Sequence, residues 1–264
     1  MSQKLRHMEL FAGAGGGVLG GMLAGFSTRC AVELNPYRRA ILKRRMAEGF
    51  LPRMAIRRRV EGIEAEDWAQ KIDIVSGGFP CQDISAAGRG LGIDAGKRSG
   101  LWREFRRVVC ELRPHFVFVE NSPRLTTHGL GRVLGDLATM GYDAEWQVLS
   151  AQECGAAHLR RRMWILAVER RPMADDLRGR LAKSFKASGL QKRLKAHADE
   201  REQSAAPFGW PCEPGLGRVA DGVARRMDRI AAIGAGQVPR VFAISFWGLL
   251  SRFFDLKNGI IFLS

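Results

Sequence analysis

The segment that most limits the fold is residues 8–25, where a short apolar run (MELFA) breaks into Gly13-Ala14-Gly15-Gly16-Gly17 and continues as a small-residue stretch to Gly25. Such a run reads as a strand, the glycines as a turn and the remainder as a helix. A second strand is expected over residues 29–34 (RCAVEL). It carries Glu33, about 20 residues beyond the turn, the spacing of an acid that accepts ribose hydroxyls in a nucleotide-binding βαβ unit. The turn itself lets backbone N–H groups meet a ligand at a helix N-terminus. Glycine turns alone are often packing or capping features. With Glu33 in place, a nucleoside-containing cofactor is the expected ligand. Pro36 then opens a helix at its first turn.

The same alternation continues along the chain. Residues 72–75 (IDIV) read as a buried strand ending in Ser76-Gly-Gly-Phe-Pro-Cys81, and after a glycine-rich loop (88–100) residues 102–112 have helical periodicity. Residues 116–119 form another buried strand with Glu120-Asn121 at its C-terminal end. A helix over 130–140 and strands over 143–149 and 163–168 complete the series. Strands alternating with helices imply an α/β doubly wound sheet, which binds its ligands beyond the C-terminal strand ends. Cys81 lies just beyond such an end. Most single cysteines are buried structural thiols, but a loop constrained by glycines and a proline favours catalysis. Glu120 has the chemistry to hydrogen-bond a pyrimidine edge, or simply to cap a helix. Arg160-Arg161-Arg162, just ahead of a strand, taken alone is a solvated basic edge.

Charge narrows the partner. The 264 residues hold 42 Lys+Arg against 27 Asp+Glu, a net +15, and such an excess favours a polyanion, nucleic acid first, over a solubility surplus or a membrane-surface patch. The start of the sequence lacks a signal-peptide pattern. No apolar run is long enough to span a bilayer, the nearest being residues 238–250, which include Arg240. The five cysteines are odd in number and scattered without metal-type spacing, so a reducing cytoplasm and no metal are expected.

Together, Phe11-Ala-Gly-Ala-Gly-Gly16, Pro80-Cys81-Gln82, Glu120-Asn121 and His158-Leu-Arg160-Arg-Arg162 stand in the order and spacing of the DNA cytosine-5 methyltransferases, and the chain resembles that family in its bacterial or phage form. Arg98-Ser-Gly-Leu-Trp102 and Gly234-Ala-Gly-Gln-Val-Pro239 resemble two further blocks. The resemblance implies a Rossmann-like methyltransferase sheet and methyl transfer from S-adenosyl-L-methionine to cytosine C5 in duplex DNA, leaving S-adenosyl-L-homocysteine. It implies a flipped base and Cys81 as the nucleophile that adds to C6. Glu120 matches the acid at N3, Arg162 the arginine at the cytosine O2 that also steadies the glutamate, and Arg160 its supporting neighbour. Phe11, Ala12, Gly13, Gly15, Gly16, Glu33 and Leu34 match the cofactor site, with Pro80 and Leu101 lining it. Gln82, Ser85 and Arg89 match the loop that closes over the DNA.

Three positions depart from the pattern. Gly234-Ala235 stands where the family has Gly-Asn, Arg59 where an aspartate binds the adenine amino group, and His158 where a glutamine is common. Reduced cofactor affinity is expected unless Asp67 or backbone groups compensate. The domains expected are a cofactor-binding catalytic domain over 1–169, a short target-recognition region over 170–212, and a segment over 213–264 whose C-terminal helix packs back on the catalytic domain. Lys183, Lys186, Lys192, Arg193 and Lys195 make the recognition region a phosphate-contacting surface or a solvated face. The partners implied are duplex DNA and a cognate restriction endonuclease, with a monomer and a cytoplasmic location expected. Two alternatives stay open: an RNA-directed member of the family, and a catalytically weak DNA-binding or regulatory protein on the same scaffold.

Overall fold

Seven strands carry the molecule: β1 (Arg6–Leu10), β2 (Ser27–Val32), β3 (Ala55–Arg57), β4 (Ile74–Gly78), β5 (Phe116–Asn121), β6 (Tyr142–Ser150) and β7 (Arg161–Glu169). The structure is a computed structural model, and it describes residues 3–68, 71–79, 100–189, 228, 232, 234 and 236–254. The strands form one sheet in the order β3-β2-β1-β4-β5-β7-β6. β1 to β5 run parallel, and β7 runs antiparallel to both β5 and β6. The strand order reverses between β1 and β4, so the loops after these two strands diverge and leave a crevice at their C-terminal ends.

Among the described residues, the helices that cover the sheet are α1 (Gly16–Leu23), α2 (Pro36–Ala47), α3 (Ala65–Trp68), α4 (Gly100–Leu112), α5 (Leu130–Thr139), α6 (Asp175–Ser188) and α7 (Pro239–Leu250). Alternation along the strands sorts them into two layers. On β5, Val117 and Val119 face α4 and α5 in a core with Met8, Leu10, Val75, Phe105, Val109, Val133 and Leu137. Phe116 and Phe118 face the other way, into a core shared with α6 and α7. That second core is aromatic. Phe118 stacks on Trp164 with ring centroids 5.1 Å apart, and Phe242 and Phe246 of α7 meet Phe118 edge-on at 4.9 and 5.5 Å.

Helix α7 returns to the sheet, against β6 and β7, as expected. It packs on α1 so closely that a Cβ on Gly20 would lie 2.6 Å from the Phe242 side chain. Trp247 donates its indole N–H to the Ala24 carbonyl at 3.2 Å.

Other boundaries differ for physical reasons. β7 begins at Arg161, because pairing with β6 carries the strand through two of the three arginines. β3 is a three-residue edge strand, too short to show a period. Residues 175–188, within the stretch expected to read DNA, form a helix whose Leu177, Leu181 and Phe185 are buried against the sheet. Their i, i+4, i+8 spacing makes one apolar stripe on an otherwise polar helix. Ser184 accepts the Leu5 N–H at 2.9 Å and ties this helix to β1. Residues 219–233, whose sequence also reads as a helix, fall almost wholly outside the described residues.

Candidate active site

The loop from β1 to α1 turns through left-handed backbone at Phe11 (φ 56°), Gly13 (φ 58°) and Gly15 (φ 101°). Gly15 is the N-cap of α1 and offers no side chain to the first turn, so that turn's N–H groups face the crevice. Glu33 follows β2, is only 5% exposed, and braces the loop from below. Its two carboxylate oxygens accept the Gly13 and Asn35 N–H groups, each at 2.7 Å. A carboxylate has about four acceptor sites, so both oxygens can still accept a vicinal pair of ribose hydroxyls. An uncapped helix N-terminus beside a held carboxylate fits a nucleoside-bearing ligand with an anionic end.

Across the crevice, Glu120 ends its side chain in an ion pair with Arg162, Nε to Oε1 at 2.8 Å. The antiparallel β5/β7 pairing makes this meeting possible, since the last residues of β5 lie opposite the first of β7, with Asn121 against Met163. Glu120 is 12% exposed and Arg162 28%. Burial pushes the Glu120 carboxyl up to about 7, against the pull of Arg162 and Arg160, with Glu9 adding to the rise. Near neutral pH this carboxyl is therefore both a proton donor and an acceptor.

The glycines before Cys81 have a steric reason. A Cβ on Gly77 would run into the Leu10 carbonyl oxygen, and one on Gly78 would lie 2.5 Å from Glu120 Oε2. Asn121 is buried, and its amide donates to the Phe79 carbonyl at 3.2 Å while its oxygen accepts the Ser122 N–H at 2.8 Å. Glu120 and Asn121 thus flank the backbone that leads into Pro80-Cys81.

The model of the C-5 cytosine-specific DNA methylase family matches residues 5–205. The chain belongs to that family. Among the methylases, it is 34% identical over 167 residues to the Type II methyltransferase M.CviJI of Paramecium bursaria Chlorella virus IL3A, covering 62% of this chain and 43% of that protein. It is 33% identical over 169 residues to the Type II methyltransferase M1.HphI of Haemophilus parahaemolyticus, covering 60% and 44%. The chain thus spans under half the length of these two relatives. A crystal structure of a candidate DNA modification methyltransferase encoded within an Escherichia coli prophage superposes with a TM-score of 0.51 at 27% identity, covering 66% of this chain and 50% of that one.

Within this methylase scaffold, the structure brings Phe11, Ala12, Gly13, Gly15, Gly16 and Glu33 together around the first crevice wall. Leu34, next to Glu33, is 58% exposed. Leu101, in the first turn of α4, is partly buried against the Val119 core. Arg160 Nη2 donates to the Gly234 and Gly236 carbonyls at 2.7 and 2.8 Å, holding the segment ahead of α7. Arg59 is exposed, and Asp67 faces Arg57 at 3.6 Å. Cys81, Pro80, Gln82, Ser85, Arg89, Lys192, Arg193, Lys195 and Ala235 lie outside the described residues.

Two residues of this site carried no assigned role in the sequence. Gln237 wedges its backbone against Gly16, where a Cβ would strike its carbonyl oxygen, and its side-chain oxygen would lie 2.6 Å from a Cβ on Gly17. Glu9, 1% exposed on β1, lies under the same Gly17 and joins His7 and Ser76 in a buried network, with Ser76 donating to Glu9 and His7 Nε2 2.5 Å from Ser76 Oγ. The signal for Glu9 was an acid inside an apolar strand. For Gln237 it was a polar side chain set inside the glycine- and proline-bearing block Gly234–Pro239.

Proposed function

We propose that this chain transfers a methyl group from S-adenosyl-L-methionine to C5 of a flipped cytosine in duplex DNA, with Cys81 as nucleophile. The observation that carries this reading is the Glu120–Arg162 pair resting over Gly78, three residues ahead of Cys81. Cytosine C5 is a poor nucleophile. Attack of the Cys81 thiolate on C6 breaks the C5–C6 π bond and pushes its electrons toward C5 and N3. A carboxyl poised near neutral pH donates a hydrogen bond or proton to N3 as negative charge grows there, and Arg162 holds that carboxyl and meets the cytosine O2. When bound, S-adenosyl-L-methionine supplies the electrophilic methyl group. Removal of the C5 proton then expels the Cys81 thiolate and restores aromaticity.

The cofactor fits the first crevice wall through Glu33 at its ribose hydroxyls and the α1 N-terminus at its carboxylate. Gln237, packed on Gly16 and Gly17, closes the same wall. Two of the other thiols suit the role poorly: burial pushes Cys30 and Cys154 each up to about 12, which keeps them protonated. The same reading assigns residues 1–169 to the catalytic domain, 170–212 to target recognition and 213–264 to the returning segment. Since α6 uses its apolar stripe in the core, DNA contacts of the recognition region fall on its polar face and on residues beyond Gly189, including Lys192, Arg193 and Lys195.

DNA in which 5-fluorocytosine replaces cytosine tests the mechanism. Fluorine at C5 blocks the final elimination, so a covalent complex stable to denaturation is expected, and Cys81→Ala should abolish both the complex and methylation. Methyl transfer by that variant would sink the proposal.

A further inference from the structure

The positive charge of this chain is concentrated away from the crevice. Residues 27–59, spanning β2, α2 and β3, hold ten Lys and Arg against Glu33 and Glu48, a net +8 of the chain's +15. Glu33 is spent on the glycine loop. Glu48 is spent on Arg44 and Arg45, at 2.7 and 3.0 Å. Those two arginines also complement the negative end of α2. Of the other eight, Arg29, Lys43 and Arg53 gather around one depression. All three are exposed, and they line an open depression of about 640 Å³ floored by Met46, Ala47, Met54 and Ala55, with no carboxylate in its lining.

The depression sits on the flank of the sheet. Lys43 and Ala47 follow Asn35, the α2 N-cap beside Glu33, by eight and twelve residues, about 12–18 Å at the helical rise of 1.5 Å per residue. Arg29 precedes Glu33 by four residues along β2, about 13 Å at the strand rise. Arg57, Arg58 and Arg59 extend the basic strip from the depression toward the crevice end of β3.

We propose that this β2–α2–β3 flank is a second phosphodiester-binding surface. It rests on the reading that the chain acts on DNA, and goes beyond it by placing backbone contacts outside the crevice and outside the recognition region. Three cations around an apolar floor suit a nucleic-acid strand, whose phosphates repeat along its length and whose sugars are flat and weakly polar. The phosphates are those of the duplex held in the crevice, because Arg57–Arg59 continue the basic strip from the depression toward that end of the sheet.

The test uses the full chain and mixed-sequence duplexes of 12 and 40 base pairs, with affinity followed by fluorescence anisotropy from 50 to 300 mM salt. Arg29→Gln/Lys43→Gln/Arg53→Gln should flatten the dependence of log K on log salt for the longer duplex by roughly 2–3, about 0.9 per lost phosphate contact. Arg29→Lys/Lys43→Arg/Arg53→Lys keeps the charges and should keep the slope. The loss of slope should appear only with 40 base pairs, the length that runs on past the crevice. An equal loss with 12 base pairs, with two short duplexes bound per chain, would overturn this placement. An unchanged slope in the Gln variant, equal loss in the charge-keeping variant, or equally tight binding of poly-glutamate would overturn the proposal. Failure of the methylation reading looks different: the wild type would bind DNA through this flank, yet transfer no methyl group and form no fluorocytosine adduct.

Discussion

Asp73 and Glu120 sit at opposite ends of the same sheet, each buried and each beside arginines, and their protonation is pushed in opposite directions. Asp73 precedes β4 and is 3% exposed. Arg6 grips it through its backbone N–H at 2.8 Å and through Nε and Nη2 at 3.0 and 2.7 Å, and Arg180 adds Nε and Nη2 at 3.1 and 3.0 Å. Burial works against the charge, yet these bonds outweigh it and hold the carboxyl below its ordinary range. Glu120 receives a single Nε contact from Arg162, and burial wins, taking it up to about 7. Counting arginines therefore says little. What separates a structural clamp from a reactive carboxyl is how many donors its oxygens receive.

The largest expected effect lies at Glu120. Glu120→Gln should lower turnover by roughly 10²–10⁴-fold, the usual scale of a lost acid–base group, with DNA affinity little changed in a binding assay. Asp73→Asn should leave turnover within a few-fold. A deep kinetic loss there would erase the distinction between the two ends.

Stability should reverse the ranking. Asp73→Asn removes the anion shared by the half-buried Arg6 and Arg180, of which Arg180 keeps Asp176, and should cost about 1–3 kcal/mol at pH 7 in denaturant titration. Because its folded pKa is depressed, this contribution is present above about pH 4 and fades as the pH falls through the folded value. The Asn variant and the parent should then converge in acid.

Glu120 carries the opposite sign. Its folded pKa lies above that of the unfolded chain, so the fold loses stability as the pH rises from about 4.5 to 7. The loss is at most about 3 kcal/mol at 1.36 kcal/mol per pKa unit. Glu120→Gln should therefore melt higher than the parent at pH 8 and near it at pH 4.5. A variant that melts lower at pH 8 would make Glu120 a stabilising ion pair like Asp73.

The smallest effect separates the two arginines. Arg180→Lys gives up a two-pronged grip and should cost about 1–2 kcal/mol of stability. Arg162→Lys replaces a single contact and should cost under about 1 kcal/mol, while slowing methyl transfer. Equal stability losses would contradict the difference in geometry.

Much of this was legible in the chain because local pattern and tertiary role agreed. Short apolar runs ending in Gly13–Gly17, in Gly77-Gly78 and in Glu120-Asn121 are strands whose ends face the crevice, and a doubly wound sheet puts its ligands there. Other parts depend on partners distant in sequence. Leu177, Leu181 and Phe185 are isolated among charges and become core only because Leu5 and the sheet face lie beneath them. Arg160 and Arg162 are two residues apart at the start of β7, yet one holds the Gly234–Gly236 backbone and the other the Glu120 carboxyl. Gln237 gains its place from three glycines far from it in sequence, Gly16, Gly17 and Gly78.

The packing of α7 on α1 also bears on how the protein is made. Phe26, Phe116, Phe118 and Trp164 belong to the first two-thirds of the chain, but Phe242, Phe246 and Trp247 complete their cover. A ribosome releasing residues 1–189 would expose that aromatic face and a glycine loop without Gln237 against it. Synthesis runs at about 5–20 residues per second, so this face would stay bare for several seconds, a natural target for holdase chaperones.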